Sequence, residues 1–321
     1  MEIQVSAQNA SKTINDALKD FIFHCRYEKG LSDKTIAAYQ MDLNQLEKYL
    51  IEKYSLKLLE AITKDMIKGY LQQISGYKPK TVKRKIASMK TFFSFYEFEN
   101  ETFINPIRKL KIRLKEPQVL PTVMSATEIK MILQYFYEER ANNMQPDNYT
   151  FKAQTRDIAI VELLFATGIR VAELCELQRN DIDLVSGNIK VNGKGSKERI
   201  IQICSKDVLG ILKEYCALVK PNTFFFVNRL GNGISTQSVR SLVKRCITKL
   251  GFSKHITPHT FRHTFATLLL EEDVDIKYIQ NLLGHSNIVT TQIYTHVNLG
   301  KQKRILLHKH PRNKLDFKRS I

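Results

Sequence analysis

Between Asn100 and Ser125 the chain cannot run on as regular helix, and that interruption divides it in two. Pro106, Pro117 and Pro121 each remove a backbone donor and clash with the preceding turn, while Arg108, Lys109, Lys111, Arg113 and Lys115 crowd between them. A chain of 321 residues is also longer than one core usually supports. The expected organisation is a first domain over 1–105, a basic linker over 106–124 and a second domain over 125–321.

Upstream of the break the apolar residues recur at helical spacing. Gly30 closes one helix, Ser32 caps the next with Ile36, Tyr39, Leu43, Leu46 and Leu50 on one face, and Thr63 opens another. Thr81 lies near the start of a further helix carrying Ile86, Met89, Phe92, Phe93 and Tyr96. No strand pattern interrupts them, so a small all-helical bundle is expected.

Downstream, Ser125-Ala126-Thr127-Glu128 has the form of a capping box leading into Ile129, Ile132, Leu133 and Phe136. The polar stretch from Arg140 to Gln154 reads as a loop, and helix resumes from about Thr155 to Thr167, ending at Gly168. From Ile182 to Ile203 short β-type runs alternate with Ser186-Gly187-Asn188 and Asn192-Gly193-Lys194-Gly195 turns, and the rest is mostly helical. The fold class is therefore mainly α: a helical bundle, then a mixed α/β but mostly helical domain with a small antiparallel sheet.

Lys and Arg number 50 against 32 Asp and Glu, a net charge of +18, so the chain is drawn to polyanions, nucleic acid first among them. The basic residues are spread over the whole chain and not gathered on one amphipathic helix, which disfavours a membrane surface as partner. Five cysteines with no CxxC pair point to neither a disulfide framework nor a zinc ribbon. The N-terminal sequence lacks the form of a signal peptide, and the apolar run Ile158–Ile169 is too short to span a bilayer, so a cytoplasmic protein is expected.

Several residues can carry chemistry. With Pro258 in the first turn of a helix, His259 and Arg262 stand three apart on one face and can offer a proton donor and a cation to one phosphate. Alone, such a pair is more often an ordinary surface pair. His259 and His263 have metal-ligand spacing, but neither the Glu of HExxH nor another nearby carboxylate completes a site, and no metal or cofactor is expected. Arg170 follows the turn at Gly168 with Glu173 three residues on, a pattern that in isolation is a helix break with an ion pair. Lys194 lies in a hairpin turn, where most lysines are merely solvated.

Taken together and in order, these residues resemble the tyrosine recombinase (phage integrase) family, particularly its bacterial Xer-type members. The match falls on Arg170 after the TG-hydrophobic pattern, Glu173, the hairpin Lys194, the HxxR pair His259 and Arg262, the GH histidine His285, and Tyr294 in its YTH context. The family implies a helical (SAM-like) core DNA-binding domain, a linker and a catalytic domain. It implies cleavage by Tyr294 to a 3′-phosphotyrosyl enzyme, without metal or ATP, and sequential exchange through a four-way junction. Arg170 and Arg262 would bind the phosphate, His259 would assist loss of the tyrosine proton, His285 would bond the phosphate or position the tyrosine, and Lys194 would protonate the leaving 5′ oxygen. The implied assembly is a homotetramer, or a heterotetramer with a related recombinase, on two double-stranded DNA sites. The outcome would be Xer-like dimer resolution, or alternatively integration, excision or inversion of a DNA element. The competing readings are a DNA-binding regulator without chemistry, against which the full residue set argues, and a relaxing topoisomerase, which the short layout disfavours. The basic, apolar-cored tail from about Asn298 to Ile321 could dock on its own domain or on a neighbouring subunit, and the resemblance implies the neighbouring subunit.

Overall fold

The computed structural model describes residues 12–112, 121–142, 148–192 and 198–284. The chain forms two compact units that divide at Gln118 and Val119.

Among its described residues the first unit contains four α-helices: α1 (Ile14–Phe23), which widens into a π-type turn over His24–Glu28, α2 (Asp33–Tyr54), α3 (Lys64–Gln73) and α4 (Pro79–Glu99). Thr13, Ser32 and Thr63 each accept a backbone N–H of the following first turn, so local sequence sets three of the helix starts. The fourth starts at Pro79, whose missing N–H costs nothing there. Aromatic rings fill the middle: Phe21 meets Phe92 edge-on at 5.5 Å, and Phe93 stacks on Phe103. Two charged groups, Asp42 and Lys85, are buried among them. Asp42 on α2 accepts from Arg84 (2.5 Å), Lys85 (3.2 Å) and Ser88 (2.8 Å) on α4, which fixes the rotation of one helix against the other. The chain after α4 stays with this core, because Phe103 and Ile107 are buried in it and Leu110 and Ile112 pack against it. The stretch read as linker thus begins as part of the first unit's packing.

The second unit contains α5 (Ala126–Ala141), α6 (Tyr149–Thr167), α7 (Val171–Glu176), α8 (Lys206–Leu218), α9 (Thr236–Lys249), α10 (Pro258–Glu271) and α11 (Ile276–Leu283). Its sheet is antiparallel, in the order β1 (Ile182–Asp183), β2 (Asn188–Asn192) and β3 (Glu198–Gln202), with Ile182 opposite Ile189 and Asn192 opposite Glu198. Ser125 and Glu128 form the expected capping box at the start of α5. The mainly α fold with a small antiparallel sheet is as expected, and no helix among the described residues is long and apolar enough to cross a membrane.

Helix α6 is the axle of this unit. Every residue from Ile158 to Leu164 is buried, and the helix packs against α5, α8 and α10. A helix that is apolar all round belongs in the middle of a core. Its one buried carboxylate, Glu162, accepts from the Tyr137 hydroxyl at 3.0 Å.

The polar stretch read as a loop is helical at both described ends, 140–141 in α5 and 149–154 in α6. Asn148 caps α6 by accepting from the Thr150 N–H, so the helix begins at Tyr149, six residues ahead of the expected start, and Phe151 is buried. Arg140 ends α5 with its guanidinium on Glu214 at 2.8 Å and over the Phe151 ring. Where the chain enters the second unit, the Met124 N–H donates to the buried Thr264 hydroxyl of α10 at 3.0 Å.

Candidate active site

The site is assembled by three helix ends. Gly168 terminates α6 in the left-handed region at φ 60°, where its N–H still reaches Leu164. This turn delivers Ile169 into the core and Arg170 to the start of α7. Glu173, in the first turn of α7, accepts the Arg170 backbone N–H at 2.9 Å and the Arg170 Nη1 at 2.7 Å. One carboxylate therefore caps the helix and steers the arginine.

Helix α10 starts at Pro258, as its sequence indicates, with Thr260 accepting the Thr257 N–H at 3.0 Å. It directs His259 and Arg262 differently. Arg262 is buried, only 4% exposed, while His259 is exposed at the surface. The Arg262 guanidinium donates from Nη1 to the Gly168 carbonyl at 2.7 Å and from Nη2 to the Leu283 carbonyl at 2.5 Å. Burial of this cation is supported by two carbonyls that the ends of α6 and α11 leave without helical partners.

Helix α11 packs on α10 through Ala266, Ile279 and Leu283, and ends at Gly284 with φ 63°. The Gly284 carbonyl accepts from Arg170 Nη2 at 2.9 Å. Arg170 and Arg262, 92 positions apart in the sequence, are thus brought to consecutive carbonyls. His285 is the next residue.

A fourth charged residue, absent from the sequence expectations, completes the network. Arg199 on β3 forms a parallel fork with Glu173, Nη1 to Oε1 at 2.9 Å and Nη2 to Oε2 at 2.8 Å. Burial works against the charge on Glu173, but the Arg199 bonds and then those of Arg170 outweigh it and hold the pKa below the usual glutamate value. The sequence does carry a signal for Arg199. It lies on the same strand face as the buried Ile201, whereas Ile200 points to solvent, so it is a cation at an inward position.

Part of the protein crowds one side of the His259 imidazole. That desolvation, followed by the charges of Arg262, Arg240 and Arg170, lowers its pKa from the ordinary 6.5 and favours the neutral ring. His263 is lowered in the same direction, by burial first and then by His259 and Arg262. Among the described residues no cluster of three or more His, Cys, Asp or Glu could hold a metal ion.

Of the residues expected in the site, Arg170, Glu173, His259 and Arg262 are described and lie around this centre. Lys194, His285 and Tyr294, and the C-terminal tail, lie outside the described residues. The strands flanking Lys194 end at Asn192 and resume at Glu198, beside Arg199.

Comparison with known proteins places the chain in a family. Residues 124–300 match the Phage integrase family and residues 18–100 match the Phage integrase N-terminal SAM-like domain. A tyrosine recombinase of Agathobacter rectalis is 44% identical over 306 residues, covering 94% of this chain and 98% of that protein. The tyrosine recombinase XerD of Listeria innocua is 35% identical over 309 residues, covering 93% of this chain and 100% of that one. In fold, the chain is similar to the XerH site-specific recombinase bound to palindromic difH substrate in a post-cleavage complex, with a TM-score of 0.70 at 24% identity over 89% of this chain and 82% of the other. With an arginine pair set on one helix end and sequence matches that run through both units, the chain belongs to the phage integrase family of tyrosine recombinases, enzymes that cleave and rejoin DNA.

Proposed function

We propose that this protein is a site-specific DNA recombinase in which Tyr294 attacks a phosphodiester, leaving a 3′-phosphotyrosyl enzyme and a free 5′ hydroxyl. The observation that carries the reading is the convergence of Arg170 and Arg262 on the carbonyls of Gly284 and Leu283, immediately before His285 and within eleven residues of Tyr294. Two permanently protonated guanidinium groups at one place suit a phosphate whose charge repels a nucleophile and grows in the transition state.

The remaining roles follow from chemistry. A tyrosine phenol near pKa 10 is protonated at neutral pH, and the neutral His259 ring is in the form that accepts its proton. Lys194 gives a proton to the leaving 5′ oxygen, and His285 bonds the phosphate or orients Tyr294. The phosphotyrosyl bond conserves the energy of the broken phosphodiester, so a 5′ hydroxyl from another strand reverses the step without ATP. Two duplexes offer four strands and each subunit one nucleophile, Tyr294, so the acting unit is four subunits, either of this chain or shared with a related recombinase. The strands are exchanged in two rounds through a four-way junction. The helical unit (1–105) and the basic linker (106–124) bind the double-stranded DNA, and the catalytic unit (125–321) cleaves it. The biological outcome is resolution of chromosome or plasmid dimers, with integration, excision or inversion of a mobile or phase-variable element as the alternative.

Sequencing the DNA bound in cells identifies the site, and a nicked suicide duplex carrying it then traps the covalent intermediate. Tyr294→Phe should form no adduct on denaturing gels while its DNA affinity stays within about threefold, because the phosphate contacts are retained. An adduct formed by the variant would move the nucleophile elsewhere, first to Tyr278, which is exposed on α11.

A further inference from the structure

Glu173 presents a difficulty for the site it organises. It holds Arg170 by two bonds, and its negative charge lies against the cation that must meet a phosphate. Arg170, Arg262 and Glu173 together carry a single net positive charge, barely enough to balance a phosphodiester. A carboxylate as buried as Glu173, 7% exposed, with Arg170 as its one cation would form a neutral pair with it.

Arg199 changes that balance. Its fork occupies both oxygens of Glu173, raises the net charge of the cluster to two, and comes from a different element, β3. It also supports the second group that holds Arg170. A Cβ placed on Gly284 would lie 3.0 Å from both Cδ and Nη1 of Arg199, so the glycine whose carbonyl takes Arg170 Nη2 rests directly on the Arg199 side chain. A solely stabilising role fits poorly. The Arg199 Nε is buried with no hydrogen-bond partner among the described residues, a cost that an apolar side chain would avoid.

We propose that Arg199 is a positioning residue for DNA cleavage, neutralising Glu173 so that this carboxylate orients Arg170 without consuming the charge that Arg170 brings to the phosphate. The inference rests on the recombinase reading above and adds to it a residue that acts through Arg170. It differs from a structural role in one respect: removal of the opposing charge should repair its loss.

The test uses the full-length protein and the nicked suicide duplex. Arg199→Met, which keeps the length of the side chain without its charge, should slow adduct formation by about 10- to 100-fold. DNA affinity should stay within about threefold of wild type, because both terminal nitrogens of Arg199 are engaged by Glu173. Adding Glu173→Gln to Arg199→Met should recover at least about tenfold of the rate, since the stranded negative charge is gone. Cleavage by Arg199→Met at the wild-type rate, or a double variant no faster than Arg199→Met, overturns the proposal. If circular dichroism shows Arg199→Met to be unfolded, Arg199→Lys and Arg199→Gln decide instead: cleavage by the charged variant about tenfold faster supports the proposal, and equal rates overturn it. Absence of an adduct with wild-type protein would instead remove the recombinase reading itself.

Discussion

Arg170 and Arg262 donate to consecutive carbonyl oxygens, those of Gly284 and Leu283, so two cations from different helices are held by one helix end. Arg262 also reaches back to the Gly168 carbonyl, two residues before Arg170. The ends of α6 and α11 are thereby tied through a single guanidinium, and neither arginine can be displaced without disturbing the other.

Arg262→Lys tests whether planarity matters beyond charge. One ammonium on a flexible stem cannot reproduce the in-plane fork to Gly168 and Leu283. The variant should lose about 1–3 kcal/mol in urea denaturation, from a carbonyl left buried and unpaired. Single-turnover cleavage should fall by about 100-fold or more. Near-normal cleavage would show that charge alone suffices.

Gly168→Ala should be far more damaging than Gly251→Ala. Both glycines have positive φ, but a Cβ at 168 would lie 2.7 Å from Phe265 and 2.9 Å from Leu283, while one at 251 meets nothing within 4 Å. The backbone strain common to both is worth about 1 kcal/mol, and the clash should add at least as much again for Gly168→Ala. Thermal unfolding of the two variants measures the difference directly, and equal losses would mean that Phe265 and Leu283 move aside freely.

The pH dependence of cleavage should carry the mark of His259. Its pKa is lowered from 6.5 by partial burial and then by neighbouring arginines, so the neutral ring persists below the ordinary histidine range. Wild-type cleavage should hold from about pH 8 down to 6.5 and fall only at more acidic values, and His259→Gln should abolish that acid limb. The linked effect on stability has the same sign. An unfolded histidine takes up its proton first, so this group destabilises the fold as the pH drops through 6.5 towards its lowered value. An acid limb unchanged in His259→Gln would assign the titration to another group.

Lys194→Ala should slow cleavage of ordinary DNA and be largely rescued when the leaving 5′ oxygen is replaced by sulfur, because a thiolate departs without a proton. Equal impairment on both substrates would make Lys194 a DNA contact and not the acid. Chelator should leave wild-type cleavage unchanged in the same assay.

Much of the architecture is legible in short stretches, because helix starts are local events. Ser32, Thr63, Ser125 and Pro258 announce their helices within four residues, and all four stand at or next to a helix start. The start of α6 is harder to see, since its Asn148 cap lies within a polar stretch. The site divides in the same way. Arg170 and Glu173 are neighbours in sequence, and their bond could be anticipated. The donation of Arg262 to Leu283 and Gly168 depends on three chain ends meeting in space, and no spacing rule encodes it. Arg199 falls between these cases: strand alternation marks it as inward-facing, but only the position of Glu173 explains why.

The bond from the Met124 N–H to the Thr264 hydroxyl has a mechanical consequence. Thr264 lies on the same helix as His259 and Arg262, and the anchor is buried, reinforced next door by Lys254, which holds both the Val123 carbonyl and Glu128. The chain therefore arrives from residue 121 and is moored without slack to the reactive helix. A pull along the incoming chain at Val123 and Met124 is passed by these bonds to α10, the helix that carries Arg262.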